Sequence, residues 1–112
     1  MERIDIAPNG SGCTKVWTNQ DVRTNSVVRL STRNGLIYSQ DRKYDAEKDV
    51  YAVYWVALDF RTGEVVWEKL AGTFDASGPA RFDNYWAPVA VGPNGALYGA
   101  NYGGVTMLRD TP

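Results

Sequence analysis

Hydrophobic positions along the chain fall in short runs broken by glycine-, proline- and asparagine-containing turns, and no stretch carries a convincing helical period. Runs at 3–7 and 13–18, at 26–31 and 36–40, and at 50–60 and 64–70 flank the turns PNGSG, TRNG and RTG, and read as three β-hairpins. Further runs at 88–92, 96–101 and 105–109 are separated by PNG and YGG. The run at 50–60, VYAVYWVALDF, is apolar at nearly every position where a half-exposed strand alternates, so both of its faces are expected to be covered.

Antiparallel sheets covered on both faces occur inside a sandwich stack or between successive blades of a β-propeller. Internal repetition favours the propeller. The segment SVVRLSTRNGLIYS at 26–39 aligns with APVAVGPNGALYGA, with Asn34, Gly35 and Tyr38 falling on Asn94, Gly95 and Tyr98. GCTKVW, ending in Trp17, likewise aligns with GEVVW, ending in Trp67, and the strands before them carry Asp5 and Asp59. Two different strand pairs repeat, which defines a four-stranded antiparallel meander, strands A to D, with a period of about 50–60 residues. The expectation is an all-β chain, a partial β-propeller over 1–112 with about two blades. Residues 3–19 supply strands C and D of one blade, 26–70 a complete blade, and 87–110 strands A to C of a further one.

Composition narrows the partners. The 12 Val, 3 Ile and 8 Thr, with 14 aromatic residues, outweigh the 6 Leu and suit pleated sheet. A formal charge of -1, from 12 Lys plus Arg against 13 Asp plus Glu, argues against a nucleic-acid face, and no apolar run is long enough to span a bilayer. The chain is expected to be soluble. No histidine is present, which removes the commonest general base, and the lone Cys13 forms no internal disulfide. Cys13 is expected to be a buried small hydrophobe. No catalytic residue and no metal site is identifiable, and no cofactor is expected.

The most specific string is ALDFRTGEVVW at 57–67. Gly63 supplies a backbone angle other residues resist, Asp59 is placed to accept hydrogen bonds from the turn amides, and Trp67 offers a broad flat surface for packing between sheets. The string matches AxDxxTGxxxW, the tryptophan-docking pattern, and the chain resembles the quinoprotein-like β-propellers, the pyrroloquinoline-quinone dehydrogenases and their non-catalytic relatives. The resemblance implies a structural docking role for Ala57, Asp59, Thr62, Gly63 and Trp67, and a periplasmic or secreted setting. It is strict over those 11 residues, with a degenerate copy around Trp17. Catalytic members use a carboxylate base, calcium ligands and often a vicinal disulfide over the quinone, and none of these signatures is matched here.

Parity of a meander puts the short A–B and C–D turns at one end of the blade and the remaining connections at the other. That other end carries the loops expected at 40–49 and 71–87, and binding is expected there. In the first, Asp41, Asp45, Glu47 and Asp49 match no calcium loop and, with Arg42, Lys43 and Lys48, read as a solvated tip. In the second, Asp75, Arg81, Asp83, Asn84, Tyr85 and Trp86 form a candidate ligand-binding loop. Phe82, Tyr85 and Trp86 either present a stacking platform or plug the seam between blades. The expected function is therefore a non-catalytic scaffold or binding module that presents these loops to a ligand or protein partner. A fragment of a quinone-dependent dehydrogenase, which would take the quinone and calcium, and a carbohydrate-binding propeller are the alternatives. Other copies of the chain, or the rest of a longer propeller, are the expected partners in the ring.

Overall fold

A computed structural model describes residues 1–110, and they form nine strands in three antiparallel sheets. Strands β1 (Glu2–Ile6) and β2 (Cys13–Thr18) make the first sheet. The central sheet is a meander in the order β3 (Arg29–Ser31), β4 (Leu36–Asp45), β5 (Val50–Asp59) and β6 (Val65–Asp75). Strands β7 (Val89–Val91), β8 (Leu97–Asn101) and β9 (Gly104–Leu108) make the third. No helix among the described residues is long and apolar enough to cross a membrane.

The central sheet is sandwiched between the other two. Alternate residues of a strand point to opposite faces, and β5 is apolar on both because both are covered. Val56 and Leu58 join Ile37 and Val22 in one buried cluster, against which Met1, Trp17 and Phe60 pack. On the other face Trp55 meets Val89 and Leu97, with Tyr38, Trp67 and Leu108 around them. The third sheet approaches closely at Gly99, where a Cβ would lie 2.8 Å from Gln40 Nε2 and 2.9 Å from the Trp55 ring. Gln40 is fully buried at this junction, and its side-chain amide is satisfied across it. Its Oε1 accepts from Asn101 Nδ2 at 3.2 Å, and its Nε2 donates to Thr106 Oγ1 at 3.3 Å. The paired amide explains why a glutamine sits in an apolar seam.

Two of the repeats seen in the sequence have structural counterparts. The turns at Gly35 and Gly95 both place the glycine in the left-handed region, at φ 70° and 76°. The two hairpins that carry Trp17 and Trp67 each have a break in register at the equivalent point, between Arg3 and Ile4 in β1 and between Ala57 and Leu58 in β5. In both, the tryptophan pairs with the residue just before that break, Arg3 with Trp17 and Ala57 with Trp67.

Three expectations need correction. The loop expected at 40–49 is mostly strand: residues 41–45 continue β4 in register with 50–54, leaving a tight connection at 46–49. Lys43 Nζ is paired with Glu68 of β6, Arg42 lies over the Tyr51 ring at 5.0 Å and pairs with Asp83, and Lys48 pairs with Asp45 across the turn. The loop expected at 71–87 likewise begins later, because residues 71–75 continue β6 opposite 50–53 and the connection runs over 76–88. Gly72 belongs in that strand for a reason of space, since a Cβ there would fall 2.5 Å from the Phe82 ring. Cys13 is exposed, not buried, because it pairs with Ile6 on the outward side of the first sheet.

Candidate functional site

The two ends of the central sheet differ. At the short-turn end, Asp59 organises the connection from β5 to β6: its Oδ1 accepts from the amides of Arg61 at 2.7 Å and Thr62 at 3.2 Å. Those contacts, the Arg61 amide first and then its guanidinium, hold the Asp59 carboxyl below its ordinary range. Gly63 follows at φ 76°, and the Trp17 indole lies flat against it, so close that a Cβ would sit 2.5 Å from two ring atoms. The indole Nε1 donates to the Phe60 carbonyl at 2.9 Å, and Asn19 Nδ2 donates to the Gly63 carbonyl at 2.8 Å. Arg3 stacks over the Phe60 ring at 4.0 Å. The turn at 60–63 is thus a seat for the first sheet. Ala57 is fully buried where it pairs with Trp67, and Thr62 Oγ1 accepts from the Glu64 amide at 3.2 Å. Trp67 packs in the opposite direction, toward the third sheet, with its ring 6.1 Å from that of Tyr38.

At the other end β4 outlasts its edge partner. Strand β3 covers only Leu36–Tyr38, and the remaining edge is taken up by segment 23–25, where Thr24 bridges Asp41 and the Asn25 amide donates to the Gln40 carbonyl at 3.2 Å. Connection 76–88 folds back onto this segment: the Trp86 amide donates to the Asn25 carbonyl at 2.7 Å. A cleft of about 630 Å³ opens between them and the protruding part of β4 and β5. Its volume lies within the usual range for small-molecule sites.

Asp83 anchors the connection. It is buried, pairs with Arg42, and its Oδ1 accepts from Asn25 Nδ2 at 2.7 Å and from the Tyr85 amide at 3.2 Å. With its backbone tied down on both sides, Tyr85 and Trp86 adopt left-handed angles, φ 49° and 73°. Bulky residues resist that conformation at a cost of about 1–2 kcal/mol each. The result is that both rings face solvent at the cleft, 64% and 66% exposed. They do not plug a seam between sheets; of the three rings, Phe82 is the one that packs down, against Gly72 of β6.

The expected loop residues are therefore split by the fold. Asp83, Tyr85 and Trp86 line the cleft. Asn84 is buried and turns toward the third sheet, donating to the Ala100 carbonyl at 3.0 Å. Arg81 sits against Gly103, and Asp75 ends β6 opposite Val50, both away from the cleft.

Asp41 departs furthest from its expected place. Expected at a solvated tip, it is fully buried on the covered edge of β4 and lines the cleft. Its Oδ1 accepts from the Arg23 amide at 2.8 Å, while Oδ2 has no hydrogen-bond partner and has Lys43 Nζ only at 3.8 Å. Burial pushes its carboxyl above the ordinary range, against the opposing pull of the Arg23 amide and of Lys43. Asn25 Oδ1, also on the cleft, is a second buried acceptor without a partner.

Among the described residues no three His, Cys, Asp or Glu side chains converge as metal ligands, and one cysteine cannot make a vicinal disulfide. Fold and site together define an all-β protein of stacked antiparallel sheets with a polar, aromatic-rimmed cleft at one end. Compared with protein-family models, with curated proteins and with solved structures, the chain finds no match.

Proposed function

We propose that this chain is a binding module of β-propeller type, with the end formed by 46–49 and 76–88 as its ligand-binding face. The observation that carries the reading is the pair Tyr85 and Trp86, two exposed rings held in left-handed backbone beside the cleft by the Asp83 and Asn25 contacts. Strain of this kind persists only where surrounding structure over-determines it, and it clusters at ligand clamps. A ligand-observed NMR screen of a chemically mixed fragment library, run against the chain and against Trp86→Gly, tests it. Hits that disappear in the variant are expected. A screen in which every hit survives the substitution removes the reading.

The propeller part of the proposal is supported by the repeated hairpin geometry and by Trp17, which seats on the Gly63 turn of the adjoining sheet as the tryptophan-docking pattern implies. The outward faces of the first and third sheets leave Ile4, Ile6 and Val16, and Tyr98, Val105 and Met107, exposed. In this reading they are where further sheets of the same kind pack, from other copies or from more of the same polypeptide. Sedimentation of the 112-residue chain is expected to show concentration-dependent self-association, and a clean monomer at high micromolar concentration would oppose self-packing.

A further inference from the structure

We infer that the cleft beside Tyr85 and Trp86 takes a neutral pyranose sugar. The inference rests on the binding-module reading and adds the chemistry of the ligand.

Three features of the cleft select that class. The first is what is left unpaired. Asp41 Oδ2 and Asn25 Oδ1 are buried acceptors on the cleft wall with nothing donating to them. Buried polar atoms are nearly always satisfied, so an orphan pair on one wall calls for a ligand with two or more donors. Acceptor-only groups exclude a ligand that offers lone pairs alone, and hydroxyl groups supply the donors needed.

The second is charge. The cleft is lined by three acids, Asp21, Asp41 and Asp83, and three bases, Arg23, Arg42 and Lys43. Arg42 is spent on Asp83, and Lys43 on Glu68 with Asp41 nearby. What remains is close to balanced, so neither a polyanion nor a strongly cationic ligand gains much from long-range attraction.

The third is shape. Tyr85 and Trp86 present flat apolar faces at the mouth, and Tyr44 and Tyr51 lie tilted against each other, centroids 5.0 Å apart, on the opposite wall. A pyranose ring has an apolar C–H face that lies on an aromatic ring and a rim of hydroxyls that reaches beyond it. The cleft volume of about 630 Å³ accommodates one or two such rings.

The test is saturation-transfer NMR followed by titration, with glucose, galactose, mannose, N-acetylglucosamine, cellobiose, lactose and chitobiose as probes. Choline and inorganic phosphate serve as the cationic and anionic comparisons. At least one sugar is expected to show transfer, strongest at its ring C–H protons. Trp86→Ala, at an exposed position, is expected to weaken it about tenfold through the lost stacking. Asp41→Asn, with its fold checked by circular dichroism, is expected to weaken it about tenfold or more by replacing an acceptor with a donor. Trp86-dependent transfer to choline or phosphate with none to any sugar overturns the sugar assignment while the binding face stands. Sugar binding that survives both substitutions overturns the location. Silence of every probe together with a fragment screen free of Trp86-dependent hits removes both proposals.

Discussion

Replacing Gly63 with alanine sets a methyl group against the Trp17 indole, and the cost divides into two parts that can be measured separately. The first is conformational. At φ 76° an alanine is strained by about 1–2 kcal/mol, offset in part by about 0.4–1 kcal/mol from a stiffer unfolded chain. Gly35, at φ 70° with open space where a Cβ would go, carries the same penalty and nothing else. The second part is steric. A Cβ 2.5 Å from Trp17 Cδ2 and Cε3 must push the ring back by roughly 1 Å to reach ordinary carbon contact. That shift stretches the 2.9 Å bond from Nε1 to the Phe60 carbonyl out of range. Losing the bond costs about 1 kcal/mol, and overpacking of this kind adds about 1–3 kcal/mol. Gly35→Ala is therefore expected to destabilise by about 1 kcal/mol and Gly63→Ala by about 3–5 kcal/mol. In a Trp17→Ala background the Gly63→Ala cost should fall back to about 1 kcal/mol, a coupling of the size that contacting residues show. Urea unfolding followed by circular dichroism, on the two single glycine variants, Trp17→Ala and the double variant, measures all four terms. Equal costs for the two glycine variants, or a Gly63→Ala cost that ignores the tryptophan, would refute the seat described for the first sheet.

Gly99→Ala, whose Cβ would crowd Gln40 and Trp55, should cost about 1–3 kcal/mol in urea unfolding, and a neutral result would mean that the sheets are not in contact there. Trp86→Gly should leave stability within about 1 kcal/mol of the parent, because relief of left-handed strain offsets the entropy of glycine and the ring is mostly exposed. A much larger loss would show that the ring is part of the core. Because the folded Asp41 carboxyl titrates above its unfolded value, burial of its charge costs nothing at a pH below the unfolded range and weighs fully once the pH exceeds the folded value. Thermal melts from acid to neutral pH should therefore show Asp41→Asn improving relative to the parent as pH rises, and a difference that is flat or of opposite slope contradicts the burial.

How much of this was legible in the chain depends on where each residue's determinant lies. Strand β5 was readable because its apolar run is continuous, and the turns at Gly35, Gly63 and Gly95 because left-handed backbone selects glycine locally. The extensions of β4 and β6 were not, because their determinants are remote. DRKYD looks like a solvated loop until Lys43 meets Glu68 across two strands, and Ala71 and Gly72 look like a break until Phe82 fills the space above the glycine. The candidate site divides the same way. Tyr85 and Trp86 are legible as aromatics in a long connection. The buried acceptors of Asp41 and Asn25 depend on segment 23–25 lying along β4, a pairing that no local pattern encodes.

The seating of Trp17 on the Gly63 turn also orders the way the molecule comes apart. A two-stranded hairpin is marginal by itself in water, so β1 and β2 draw their persistence from the anchors that Arg3, Trp17 and Asn19 make on residues 60–63. Their amides should exchange with deuterium through a partial opening that needs only those anchors released. The amides of β5, hydrogen-bonded on both sides within the central sheet, should wait for a deeper opening. Three side chains gripping one turn thus set the gap between the first unfolding step and the last.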